Sequence, residues 1–332
     1  MMFCLDSGRL RQCSGAFRNH IQTILRMGSA GSLNRGPIRT LILGCMGAGK
    51  TSFMRQMVRC QKKSITNNRE YYLYCVQLNL LNVYRELRNV CISLEIQISP
   101  ELDAAFTEIH EYRHKEKFPQ KVIDAISLLR NSQLFDFCRM RQRILQLPQN
   151  YNYMIQRADE FMQADYIPSE NDIMMSYSQT CGLVRDKVKT QGYDFELLEL
   201  PGHHLWRAKW AQHFEDPDLV VFVIDLSELC DPAFYNKGHL ENKTVNVFTS
   251  LVSNALLAKV YWLLIFNKID TFNDHSAGFD FKKLANHLDT GDNAKTFYRS
   301  QFTTLLPKNK CFAHMVSLVN GESNNLSLAV LL

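Results

Sequence analysis

The stretch Gly44-Cys45-Met46-Gly47-Ala48-Gly49-Lys50-Thr51 constrains this chain more than any other. It fits GxxxxGK[ST], a loop whose glycines let the backbone curl until its N–H groups converge on a phosphate. Such a loop works only between a buried strand and a helix N-terminus, where the helix dipole and its orphan N–H groups complete the anion site. That context is present. Thr40-Leu41-Ile42-Leu43 reads as a strand before the loop, and Thr51 through Cys60 as a helix after it. In this reading Gly44, Gly47, Ala48, Gly49 and Ser52 line the cradle. Lys50 reaches the β- and γ-oxygens, and the Thr51 hydroxyl ligates Mg²⁺. An incidental Gly-rich turn is the bland alternative for so loose a pattern.

The rest of the chain falls into three stretches. Phe195 to Leu200, Leu219 to Ile224 and Val260 to Phe266 are near-continuous apolar runs, as expected for parallel strands buried on both faces. A helical segment around Val245 to Leu257 joins the last two. This alternation predicts an α/β, doubly wound, mostly parallel sheet. Residues 62–168 differ, with spaced aliphatics such as Val76, Leu78, Leu80, Leu81, Val83, Tyr84 and Leu87, and later Val122, Ile123, Ile126, Leu128 and Leu129 at helical spacing. Pro100, Pro119, Pro148 and Pro168 punctuate that stretch at plausible helix ends, which predicts an all-α insert. Residues 1–37 form a polar arm in which Asn19 to Leu25 could make one short helix.

Two further motifs stand at strand ends. Asn267-Lys268-Ile269-Asp270 follows the apolar run that ends at Phe266. There the Asp270 carboxylate can accept from N1–H and the exocyclic amino group of guanine, a pattern adenine does not present. Asn267 would hold the base and the loop, while the Lys268 stem covers the ring. Four residues alone are more often a solvated loop; behind a phosphate loop and two strands they point to a nucleotide base. Glu199-Leu200-Pro201-Gly202 ends another strand. Its carboxylate can hold a Mg²⁺-bound water and the Gly202 N–H can meet a γ-phosphate, although taken alone it reads as an ordinary strand-to-turn Pro-Gly.

Composition excludes some classes. A net charge of +5 on 332 residues is too diffuse for nucleic-acid binding. Ten cysteines without one CxxC pair argue against a zinc site and for reduced thiols. The first residues lack the apolar core of a signal peptide, and no apolar run approaches the roughly 18 residues of a membrane span. A cytoplasmic protein, or one peripheral to a membrane, is expected.

Further residues carry a resemblance. Ala164-Asp-Tyr-Ile-Pro168-Ser-Glu-Asn-Asp172-Ile173 is similar to the ADYxPTEQDI segment that leaves the helical domain of heterotrimeric G-protein α subunits. Thr180-Cys181-Gly182 takes the place of the family's Thr-Thr-Gly in switch I. Gly202 and Arg207 to Trp210, with Phe214, partly match switch II, and Phe248 to Asp270 runs in register with the segment ending in NKKD. The likeness covers roughly residues 38–320. It implies a Ras-like P-loop GTPase domain from residues 38–61 and 173–332, with an inserted helical domain at 62–172. It also implies GTP/GDP and Mg²⁺ as cofactors, with Thr51 and Thr180 as metal ligands. Gly202 would lie by the phosphates, and Asn267, Lys268 and Asp270 by guanine. The partners implied are a G-protein βγ dimer, a receptor and an effector, at the inner face of the plasma membrane.

The departures from that family are specific. Its catalytic arginine falls on Tyr177 and its water-orienting glutamine on His203. Arginine fingers are worth about 10³ to 10⁵ in rate, a figure drawn partly from this family; tyrosine is neutral and cannot stand in. Glu199-Leu-Pro201-Gly202 replaces Asp-x-Gly-Gly, and Met46-Gly47 replaces Gly-Glu. The chain starts Met1-Met2, without the Met-Gly of N-myristoylation; Cys4 and Cys13 read as free cysteines first and as palmitoylation sites second. The base-binding TCAT is reduced to Val316-Ser317-Leu318-Val319, and the family's receptor-docking carboxyl-terminal helix is expected to be truncated or replaced. Trp210 and Phe214 read equally as βγ contacts or as core. The expectation is a signalling switch that binds GTP and hydrolyses it slowly. The alternatives are a pseudo-GTPase scaffold and, against the NKID and ADYIPSENDI evidence, an unrelated P-loop ATPase or kinase.

Overall fold

A computed structural model describes residues 36–61, 68–113, 117–134, 150–190, 193–230 and 243–319. The expected Asn19–Leu25 helix, the candidate lipidation sites Cys4 and Cys13, and Pro148 lie outside the described residues. The chain divides into two compact units, one of Met1–Lys63 with Thr180–Leu332 and one of Ser64–Gln179.

The first unit is built on a six-stranded sheet of order β2-β3-β1-β4-β5-β6. Its strands are β1 (Ile38–Gly44), β2 (Val184–Thr190), β3 (Tyr193–Glu199), β4 (Leu219–Asp225), β5 (Tyr261–Asn267) and β6 (Cys311–Met315). All neighbours pair in parallel except β2, which runs antiparallel to β3 along the edge. The apolar runs seen in the sequence became β1, β3, β4 and β5. Every residue of β4 is buried, as its unbroken Leu-Val-Val-Phe-Val-Ile run requires.

Two packed layers cover the sheet. On one face α1 (Lys50–Cys60) presses Phe53, Met54 and Met57 onto Ile42, Leu197, Val221 and Ile265. On the other, Phe248, Tyr298 and Phe302 pack on Phe222, Leu264 and Phe266. They come from α9 (Lys243–Val252) and α11 (Gly291–Thr303). Phe248 and Phe302 lie 5.3 Å apart between ring centres, tilted as aromatic quadrupoles prefer. Mixed strand order with helices on both faces leaves a crevice beyond the carboxyl ends of β1, β3, β4 and β5, where open α/β sheets bind ligands.

In the Ser64–Gln179 unit every described element is a helix. The longest, α2 (Arg69–Ser93), buries Val76, Leu80, Leu81, Val83, Tyr84 and Leu87 of the spaced aliphatics, while Leu78 is only partly buried. It packs in one core with α3 (Pro100–Glu111), α4 (Gln120–Arg130), α5 (Tyr151–Gln156) and α6 (Ala158–Phe161). Pro100 occupies the first turn of α3 behind the Ser99 cap, and Pro119 caps α4, each at a position where a missing N–H costs nothing. The last helix, α7 (Glu170–Met175), starts on a capping box in which Ser169 and Asp172 exchange side-chain and backbone bonds. Asp172 is fully buried there, accepting also from Tyr153 and Arg157. The ADYIPSENDI segment is therefore built around one satisfied buried carboxylate.

Candidate functional site

The phosphate-type loop joins β1 to α1. Gly49, at the start of α1, holds φ +107°, and a Cβ there would lie 2.2 Å from Asn267 Nδ2. Only glycine tolerates both the left-handed backbone and the close approach. No side chain caps α1 and no acidic residue stands in its first turn, among the described residues. The helix thus offers its N-terminal dipole and orphan N–H groups outward, as anion-binding helices do.

Lys50 is buried and donates from Nζ to the Cys45 carbonyl at 3.0 Å. Burial pushes the Lys50 pKa down, and the nearby Glu199 carboxylate opposes that shift. Gly202 packs against the same ammonium; a Cβ on it would meet Lys50 Nζ at 2.5 Å and the Gly44 carbonyl oxygen at 2.6 Å. The β3 turn can therefore approach the loop only as glycine.

Around Lys50 three oxygens converge. Thr51 donates to Glu199 Oε1 at 2.6 Å, Thr180 donates to the same oxygen at 3.2 Å, and the two hydroxyls lie 3.1 Å apart. The other carboxylate oxygen, Glu199 Oε2, is buried and has no hydrogen-bond partner among the described residues. An orphaned carboxylate oxygen beside two hydroxyls fits a hard divalent cation and its waters. No group of three His, Cys, Asp or Glu suited to a metal occurs among the described residues. A cation here would thus depend on hydroxyls, one carboxylate and the oxygens of its own ligand.

The β5 turn is bolted to the loop. Asn267 Nδ2 donates to the Ala48 carbonyl at 2.9 Å, and Asn267 Oδ1 accepts the Leu318 N–H at 3.0 Å. Gln56, on α1, adds a bond to the Leu318 carbonyl at 2.6 Å. One asparagine thus ties the phosphate-type loop, β5 and the segment after β6 together. Val316-Ser317-Leu318, which lacks the TCAT residues, still holds its backbone in place, with Val316 N–H donating to Phe266 and its carbonyl accepting from Ile269. Lys268 has φ +66°, an uncommon conformation for a side-chain-bearing residue that costs about 1–2 kcal/mol. Its ammonium pairs with Asp225 at 2.5 Å. Asp270 opens the first turn of α10 (Ile269–Ser276).

The two residues expected to be catalytic lie in different units. His203 caps the short helix α8 (His204–Arg207), its Nδ1 accepting from the Leu205 N–H at 3.4 Å. Tyr177 belongs to the Ser64–Gln179 unit, where Asn79 clamps its backbone. Asn79 Oδ1 accepts the Tyr177 N–H and Asn79 Nδ2 donates to the Tyr177 carbonyl, at 2.9 and 2.6 Å. The Tyr177 residue is 51% exposed. Trp210 and Phe214 resolve to core, at 4% and 3% exposure, because they fill the sheet face beside Leu200 and Val220. Trp210 Nε1 also donates to the Pro201 carbonyl at 2.9 Å, holding the turn before Gly202. The exposed apolar residues of that segment are Leu205 and Trp206.

Sequence reasoning passed over a buried polar group under this site. Asp225, Glu228 and Thr244 lie there with Tyr298, and Glu228 Oε2 accepts from Thr244 and Tyr298 at 2.9 and 3.2 Å. Burial first, and the Asp225 charge second, push the Glu228 carboxyl up to about 7. The available signal was an aspartate ending an otherwise apolar strand.

The sequence profile of the G-protein alpha subunit family matches residues 18–329. The chain belongs to that family. The guanine nucleotide-binding protein alpha-14 subunit of Caenorhabditis briggsae is 24% identical over 315 residues, 86% of this chain and 77% of that protein. The G(o) subunit alpha of Geodia cydonium is 28% identical over 253 residues, 73% and 70% of the two chains. The alpha-12 subunit of Dictyostelium discoideum is 24% identical over 295 residues, 84% and 83%. At such identity a G-protein α chain keeps its fold while individual site residues are free to differ, so each must be judged by what it touches. No helix among the described residues is long and apolar enough to cross a membrane.

Proposed function

We propose that this α subunit is a GTP/GDP-binding signalling switch that uses Mg²⁺ and hydrolyses GTP slowly on its own. The observation that carries the reading is the Thr51–Thr180–Glu199 cluster beside buried Lys50, with one carboxylate oxygen left over. In this reading Gly44, Gly47, Ala48, Gly49, Lys50, Thr51, Ser52 and Gly202 surround the phosphates. Asp270 and Asn267 take the guanine, and Thr51 and Thr180 hold the Mg²⁺. The cation would neutralise charge on the phosphates. The helical unit corresponds to the family's inserted domain. Slow hydrolysis follows from Tyr177 and His203, which supply neither a guanidinium nor a glutamine amide.

The family's partners are a βγ dimer, receptors and effectors, with attachment at the inner face of the plasma membrane. For this chain they remain part of the proposal, with Leu205 and Trp206 as the exposed apolar side chains of the switch II segment.

Fluorescent GTP with Mg²⁺, displaced by unlabelled GTP, GDP or ATP, tests the reading. Micromolar or tighter binding released by guanine nucleotides alone is expected, followed by single-turnover hydrolysis well below that of arginine-bearing relatives. Displacement by ATP would sink it. Absence of saturable binding would leave a pseudo-GTPase scaffold as the function.

A further inference from the structure

The ammonium of Lys268 has a partner that the NKID motif does not contain. Asp225 ends β4 and stands opposite Asn267, the last residue of β5, on the final rung of the sheet. Its carboxylate therefore emerges at the same height as the motif. Oδ1 accepts from the Ser227 N–H at 3.0 Å and the Ser227 hydroxyl at 2.6 Å, which fixes the carboxylate plane. Oδ2 is left to take Lys268 Nζ at 2.5 Å. Both side chains are nearly buried, at 12% and 14% exposure, so the pair is poorly screened by salt.

Glu228 is the other acid in the patch, and its hydrogen bonds go to Thr244 and Tyr298. Burial and then the Asp225 charge push its carboxyl up to about 7, and of the two acids it is Asp225 whose oxygen stands within bonding distance of the Lys268 ammonium.

We propose that Asp225 is a positioning residue for guanine, acting through Lys268. The inference rests on the reading of Asn267-Lys268-Ile269-Asp270 as the base site. A lysine has four rotatable side-chain bonds, and fixing them when a base arrives opposes binding. Asp225 fixes them beforehand. The stem already lies along the end of β4 with its charge anchored, so an incoming ring meets a preformed wall. Asp225 touches no nucleotide in this scheme; Asp270 reads the base and Asp225 sets the surface against which it rests.

Equilibrium binding and dissociation of fluorescent GDP from the full-length chain test the idea in wild type, Asp225→Asn, Lys268→Met and the double variant. Asn keeps the volume and an oxygen for Ser227 while removing the charge. Asp225→Asn is expected to weaken GDP about tenfold, through faster dissociation, the size of one charge-assisted hydrogen bond. If Asp225 works through Lys268, the double variant binds no worse than Lys268→Met alone. Ser227→Ala, which loosens the Asp225 carboxylate without touching its charge, is expected to cost about threefold. It keeps the prediction readable should Asp225→Asn fold poorly.

Wild-type affinity in both Asp225→Asn and Ser227→Ala would overturn the proposal. So would losses in the double variant that multiply, since independent sites multiply and a relay does not. Failure of the wild-type protein to bind GDP would instead defeat the base-site reading itself, before any substitution is made.

Discussion

The floor of the proposed site and the two residues expected to be catalytic, here its rim, differ in how the chain holds them. The floor joins the phosphate-type loop, Asn267, Lys268 and the segment after β6. Its Asn267 is committed to both Ala48 and Leu318, and its Lys268 to Asp225. The rim residues are Tyr177, exposed within the Ser64–Gln179 unit, and His203, spent on capping a four-residue helix of the other unit. Binding residues that also hold the fold together cannot change without loss of stability. A residue such as His203, whose bond stays within its own short helix, ties less of the fold together. That asymmetry would let the proposed nucleotide cradle outlast a departure from the catalytic pattern.

The largest test of the contrast is to restore the rim. Tyr177→Arg should raise single-turnover GTP hydrolysis by up to about a thousandfold, the lower end of what a correctly placed arginine supplies. Nucleotide affinity should change little, because Asn79 holds the residue-177 backbone whatever its side chain. A rate unchanged by the substitution, with GTP still bound, would mean the rim is defective beyond its missing charge.

Disturbing the floor should cost stability as well as binding. Gly49→Ala places a Cβ against Asn267 Nδ2 on a left-handed backbone. Strain and overpacking together should remove about 3 kcal/mol of stability. Urea denaturation would register this together with lost GDP binding. Loss of binding at wild-type stability would show that the floor is not the structural joint described above.

A third test separates the floor from the acid beneath it. Glu228 titrates near 7 in the folded chain against an ordinary 4.5. The raised value means the folded state prefers the protonated acid. That contribution is fully present below about pH 4.5 and is lost as pH rises through about 7. Glu228→Gln mimics the protonated form at every pH. Its stability advantage over wild type should grow from near zero at pH 4.5 to at most about 3 kcal/mol above pH 7. A pH-independent difference between the two proteins would place the titration elsewhere.

What the sequence revealed follows the same division. β4 and β5 were legible because burial on both faces demands unbroken apolar runs, and the loop and NKID were legible because each needs fixed residues at fixed spacing. β2 was not legible: Val-Arg-Asp-Lys-Val-Lys-Thr has one buried side chain described along it, Val188, and pairs through its backbone at an edge. β6 was equally hidden, since Cys-Phe-Ala-His-Met is only half-buried throughout. Trp210 and Phe214 were ambiguous because an apolar residue near a polar helix looks alike in a core and in a partner face. Distant pairings such as Asp225 with Lys268, 43 residues apart, have no local signature at all.

The smallest expected effect concerns His203, and it turns on which ring nitrogen is free. Nδ1 accepts the Leu205 N–H, so the neutral ring carries its proton on Nε2. A ring in that tautomer can donate to a water but cannot accept from it. The attacking water needs the opposite, an acceptor for its proton side and a lone pair aimed at phosphorus. Glutamine offers both a carbonyl and an amide. His203→Gln should therefore raise single-turnover hydrolysis, but by less than about tenfold while residue 177 stays uncharged. Combined with Tyr177→Arg the gains should multiply, because orienting the nucleophile and stabilising the leaving charge act on different atoms. A fall in rate on His203→Gln would show that the ring turns, frees Nδ1 and activates water in the nucleotide-bound state, and the rim would then retain one working catalytic group.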